Sequence, residues 1–223
     1  MNNIKHLFIN RFKTFALLSI SLMFCIVLLM LRIKFTHSFF YLFLVWNLFL
    51  AAVPFAITTY LVSLPKLNKF GLLVWFCVWL LFLPNAPYIV TDLIHLQLST
   101  APIIWLDILI VSTFASNGLL LFYLSIFDMR TILKPYLTAK LLNCAVLFIL
   151  FLSSFGVYLG RFLRYNSWEI LSHPKYLITD VLNIITQPSS HKEAWIFTLL
   201  FGAFLYIGFL IFKNLFNSDK NTL

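Results

Sequence analysis

Charge is scarce in this chain. Asp, Glu, Lys and Arg make up 10% of it, against about 25% in an ordinary soluble domain, which excludes a normal water-facing surface. Acids are scarcest, seven against 16 Lys and Arg in 223 residues. There are three cysteines, Cys25, Cys77 and Cys144, each inside an apolar run. An odd, widely spaced set excludes a disulfide framework and a cysteine-rich metal site, and is expected to act as small buried hydrophobes. The six glycines form no phosphate-cradling loop. Serine-hydrolase elbows, His-Glu-x-x-His and His-x-x-x-His spacings are missing too. No period of 20–50 residues marks a repeat protein.

What is present is apolar: 62% hydrophobic residues, 26 of them Phe, with a mean hydropathy of +0.97. The basic residues are scattered between hydrophobic runs, a pattern of topology signals and lipid-headgroup contacts rather than of nucleic-acid binding. A span needs about 20 apolar residues. Six are predicted, at about 14–31, 39–62, 70–83 with a following helix 86–98, 103–127, 137–160 and 194–212. The fold class is an all-α transmembrane bundle forming a single membrane domain over 1–223. The first run exceeds the roughly 7–15 residues of a signal-peptide core and lacks an A-x-A site, so an uncleaved span is expected.

The third span stands apart. Only 14 residues join Phe70 to Leu83, short of a hydrocarbon core about 30 Å thick. Then comes Leu83-Pro84-Asn85-Ala86-Pro87-Tyr88-Ile89-Val90-Thr91-Asp92-Leu93-Ile94-His95-Leu96. Pro84 disfavours helix at Leu83, and Asn85 is expected to cap a fresh interfacial helix with Pro87 in its first turn. With six spans, ten Lys and Arg fall on the side of the termini and six on the other, which predicts cytoplasmic termini. Residues 84–102 and 161–193 then form an external polar cap, and the two stretches can meet. In the second, Asn166-Ser167-Trp168-Glu169 resembles a capping box. After His173-Pro174, Leu177, Val181, Ile184 and Ile185 repeat as in an interfacial amphipathic helix.

Two constellations could carry chemistry. At 100° per residue Tyr88, Thr91, Asp92 and His95 share one arc, with acid and base three residues apart. Asp92 and His95 could move protons, supply two ligands of a metal, or hold the cap together by pairing. Two ligands do not make a site, so no metal or other cofactor is expected. The second is Arg161, Arg164, Asn166, Ser167 and Trp168. If the fifth helix continues, its arginines and aromatics share a side suited to a phosphate or carboxylate; anchoring to headgroups, or pairing with Asp92, are alternatives. Asn85, Tyr88 and Thr91 are further polar candidates. Within spans, Asn47, Asn117 and Asn143 are expected to bond between helices, and Asp107 to join Asp92 and His95. No chain of acids crosses the membrane, which weakens ion-coupled transport.

The long motif from Leu83 to Leu96 resembles the signature of the bacterial membrane family DUF1361, domain of unknown function 1361. Gly156-Val157-Tyr158-Leu159-Gly160-Arg161-Phe162-Leu163-Arg164-Tyr165-Asn166-Ser167-Trp168 is similar to its second motif, except at Tyr165, where the family usually has Trp. The resemblance covers the chain from about Phe15 to the last span. It implies a hydrophobic bacterial integral membrane protein and carries no activity. The residues leave three readings, in order of preference. The first is a non-enzymatic cell-membrane protein whose cap binds a membrane-lipid headgroup, an anion or a partner protein. The second is an enzyme on a lipid-linked phosphate, with Asp92 and His95 as acid and base. The third is a small-molecule transporter.

Overall fold

The computed structural model describes residues 9, 11–64, 68–99, 101–165, 167, 172 and 174–218. Among the described residues there is helix and no strand. The helices are α1 (Phe12–Thr36), α2 (Phe43–Ser63, entered through a 3-10 turn Phe40–Leu42), α3 (Lys69–Phe82), α4 (Asn85–Tyr88), α5 (Ile104–Leu133), α6 (Ala139–Arg161), α7 (Pro174–Thr186) and α8 (Lys192–Ser218). A 3-10 helix, Ile89–Leu98, follows α4. Among the described residues six helical runs are long and apolar enough to cross a membrane, at the six expected places. Large apolar side chains line their outer surfaces: Leu17, Met23, Phe49 and Leu200 are all more than half exposed. The molecule is a multi-pass membrane protein.

Two compact units divide the chain, Met1–Ile132 and Leu133–Leu223. In the first, α5 is central: its most apolar 18-residue window is 61% buried, that of α1 only 22%. Trp79 of α3 is fully buried and its indole N–H donates to Ser125 Oγ of α5 at 2.6 Å. In the second unit α6 packs along α8, where Ser154 Oγ donates to the Thr198 carbonyl at 3.0 Å. Ile184 of α7 is buried, and Trp195 Nε1 donates to its carbonyl at 3.2 Å. Cys25 is buried as expected, but Cys77 and Cys144 are exposed. The outward side of a membrane helix is as apolar as its inward side, so hydropathy could not tell which side a cysteine takes.

The Pro-Asn-Ala-Pro segment differs from expectation. The chain does turn at Leu83 and Pro84, but both keep right-handed helical dihedrals (φ −55°, ψ −40° and φ −60°, ψ −23°). Asn85 is not an N-cap: its Nδ2 donates backwards to the Phe82 carbonyl at 2.9 Å. The two prolines explain this. Pro87 has no N–H for the Leu83 carbonyl, so Ala86 N–H bonds it instead at 3.2 Å. The Phe82 carbonyl, which Ala86 would serve in an α-helix, passes to the Asn85 amide. The α-helix is therefore interrupted at Leu83 and Pro84 as expected, but it resumes at once, and Ile89–Leu98 runs on as 3-10 helix where an α-helix was expected. Such a stretch is long for this form.

Gly118 of α5 makes room for this segment. A Cβ there would lie 2.5 Å from the Ala86 carbonyl oxygen. At Gly202 of α8 the obstacle would be the Phe151 ring, also at 2.5 Å. A backbone carbonyl held between two prolines cannot yield as a ring can. Gly118→Ala is therefore expected to destabilise the protein by about 1–3 kcal/mol, and Gly202→Ala by less, as read from unfolding midpoints of both variants in the same detergent.

Candidate functional site

The first unit holds a cluster of polar groups at the N-terminal end of α5. Asp107 is fully buried, and Arg32 of α1, itself buried, donates from Nε to Asp107 Oδ1 at 3.0 Å. Arg32 Nη1 also donates to the Ser38 carbonyl at 3.1 Å, and its guanidinium carbon lies 4.6 Å from the centre of the Tyr41 ring. Among the described residues Asp107 Oδ2 has no hydrogen-bond partner. A charge here would be costly alone. The ion pair cancels the net charge, and the aromatic ring supplies further attraction to the cation.

Tyr41 joins this pair to the Asp92–His95 segment. Its hydroxyl donates to the His95 carbonyl at 3.4 Å and lies 2.9 Å from Ser99 Oγ. Asp92 is 1% exposed, and Asn47 Nδ2 of α2 donates to its Oδ2 at 2.8 Å. The His95 ring packs edge-on against Phe43 at 4.9 Å and near Phe40 at 6.0 Å. Because the helix is 3-10, with three residues per turn, Asp92 and His95 lie in one row with Ile89. Tyr88 and Thr91 fall in the next row, and the single expected arc is split. Thr91 Oγ1 donates to the Tyr88 carbonyl at 2.6 Å.

Asp107 pairs with Arg32 rather than joining Asp92 and His95 as expected. Arg32, one of the six basic residues that the charge count puts on the side away from the termini, sits inside the last turns of α1 and is a core residue. At the other end of the same two helices, Arg11 Nη1 lies 2.7 Å and 2.8 Å from the two oxygens of Asp128. Between these levels Asn117 Nδ2 donates to Cys25 Sγ at 3.1 Å and to the Thr113 carbonyl at 2.9 Å. The helices run antiparallel in matched register: Arg11 and Arg32 are 21 residues apart, and so are Asp107 and Asp128. That is roughly 31 Å of helix, one hydrocarbon core. The equal spacing was the signal by which Arg32 could have been found in the sequence.

The second constellation belongs to the second unit. The fifth span does not continue through it: α6 ends at Arg161, so Arg161 and Arg164 do not share a helical side. Arg164 is exposed and takes a left-handed backbone conformation, φ 62°. The turn is held at the next residue. Tyr165 N–H donates to the Leu159 carbonyl at 3.1 Å, and Tyr165 Oη donates to Asp180 Oδ2 of α7 at 2.7 Å. Ser167 is half-buried in the turn beyond. Asn166, Trp168, Glu169 and His173, and with them the expected capping box, lie outside the described residues. Of the α7 stripe, Ile184 is buried, Leu177 and Val181 are half-buried, and Ile185 is exposed.

Among comparisons with known proteins, the family described as "protein of unknown function (DUF1361)" matches residues 46–207. That is most of the chain, from within α2 to within α8. The chain belongs to the DUF1361 family. No curated protein and no solved structure matches it. In this DUF1361 protein the matched residues contain both long motifs, while Arg11 and Arg32 precede them. The Leu83–Leu96 motif thus combines a tightened helix seated on Gly118 with a buried acid bonded to Asn47.

Removing one partner of the buried pair strands the other charge. Asp107→Ala is expected to cost about 3–5 kcal/mol, and the double change Arg32→Met, Asp107→Leu to recover most of it. Asp128→Ala is expected to cost less, because Arg11 is 31% exposed and can turn to water. Unfolding of the purified variants in detergent reads all three.

Proposed function

We propose that this DUF1361 protein is a non-enzymatic membrane protein that binds a phosphate-bearing group at the membrane surface through the segment after α6. The conformation of Arg164 carries this reading. A left-handed backbone costs a non-glycine residue roughly 1 kcal/mol, and glycine would sit there without strain. An arginine kept at such a position, exposed and with its turn pinned by Tyr165, supports a use for its side chain. Arg161, in the last turn of α6, is already accounted for by the negative end of the helix dipole; Arg164 lies beyond the helix and is not. A guanidinium offers phosphate a planar pair of donors, and at the end of a span the most abundant phosphates are those of lipid headgroups.

The burial of Asp92 and its bond from Asn47 support a structural role for that acid. An enzyme using Asp92 and His95 would need the acid to reach substrate. A transporter needs a continuous polar path, and the α1–α5 contact at mid-depth is the pairing of Cys25 with Asn117. On the distribution of Lys and Arg, both termini face the cytoplasm and the Arg164 segment faces outward, in a bacterial cell membrane.

The test uses native mass spectrometry of the full chain with phosphatidylglycerol. Arg164→Gly keeps the backbone conformation, so it is expected to melt no lower than wild type while losing about tenfold in retained lipid, the value of one charged hydrogen bond. Retention unchanged in Arg164→Gly overturns the proposal.

A further inference from the structure

The second unit carries a shallow, open groove along one side of α8, with a volume of about 490 Å³, lined from that helix alone by Glu193, Ile196, Phe197, Leu200, Phe201 and Phe204. Its aromatic wall is continuous: Phe197 stacks on Phe201 with ring centres 5.2 Å apart, and Phe201 meets Phe204 at 5.6 Å. The same wall reaches the end of α6, where Phe162 lies 5.3 Å and Tyr158 6.0 Å from Phe197. Arg161 precedes Phe162 directly, so the arginine segment and the start of α8 lie at one end of this unit. Glu193, exposed in the first turn of α8, is the one charged residue of the lining.

We propose that the phosphate-bearing ligand is an amine-bearing phospholipid of the phosphatidylethanolamine kind. One acyl chain lies in the α8 groove, the phosphate meets the arginine segment, and the ammonium meets Glu193. This rests on the phosphate reading above and adds the headgroup class. An acyl chain gains little by leaving other lipid tails for an apolar groove, because both surroundings are hydrocarbon. Selection must therefore come from the polar end. There the groove's one carboxylate, Glu193, stands at the same end of the unit as the cationic arginine segment, a complement to a zwitterion. A purely anionic headgroup would meet repulsion from Glu193.

The experiment offers the purified full chain equimolar phosphatidylethanolamine and phosphatidylglycerol with matched acyl chains, and counts adducts by native mass spectrometry. Wild type is expected to retain about threefold more phosphatidylethanolamine, the scale of one exposed ion pair. Glu193→Gln removes that excess, and Glu193→Asp keeps it. Equal retention by wild type, or an excess that Glu193→Gln leaves unchanged, overturns this inference. The phosphate reading then still stands if Arg164→Gly lowers both lipids. If Arg164→Gly lowers neither, the phosphate reading fails and the headgroup assignment fails with it.

Discussion

The buried pair of Arg32 with Asp107 is the contact on which the first unit depends. A single charge buried among helices is costly, and these two are buried because each neutralises the other. The pair also does geometric work. With Arg11 and Asp128 at the opposite end, it fixes α1 against α5 at two levels one hydrocarbon thickness apart. Helices in lipid gain no hydrophobic drive to associate in one register rather than another. Polar contacts at both ends, with Asn117 on Cys25 between them, supply that register.

The same end of α5 organises the Leu83–Leu96 motif. Tyr41 touches Arg32 with its ring and the 3-10 helix with its hydroxyl, so the ion pair and the motif share a side chain. The motif's other fixed points are Asn47 on Asp92 and the seat of Ala86 on Gly118. Its prolines remove two backbone donors, and Asn85 compensates with its own amide. An amide, a carboxylate and an imidazole in an apolar run thus have physical roles in shaping and placing a tightened helix. The segment after α6 is different in kind: Arg164 is exposed and backbone-strained, which packing alone does not explain.

Much of this was legible beforehand. Runs such as Thr14–Leu31 and Phe39–Val62 announce spans because composition and length alone decide bilayer crossing. Pro84 and Pro87 marked where the third span departs from α-helix. Asp92, His95, Arg161 and Arg164 stood out because polar groups are rare in such a sequence. What was misread shares one cause. Local rules predict a cap at Asn85 and a regular α-helix through the motif, because they treat a segment without its neighbours.

By itself the sequence determined the membrane class, the six spans and the short list of polar residues, since these follow from hydropathy summed over about 20 residues. Only the tertiary structure decided the partners. Arg32 chose Asp107, Asn47 chose Asp92, and Ala86 came to rest on Gly118, contacts between residues 32 to 75 positions apart. In lipid both sides of a helix are apolar. No periodicity then tells an inward residue from an outward one, and the choice is left to polar contacts that appear only once the helices meet.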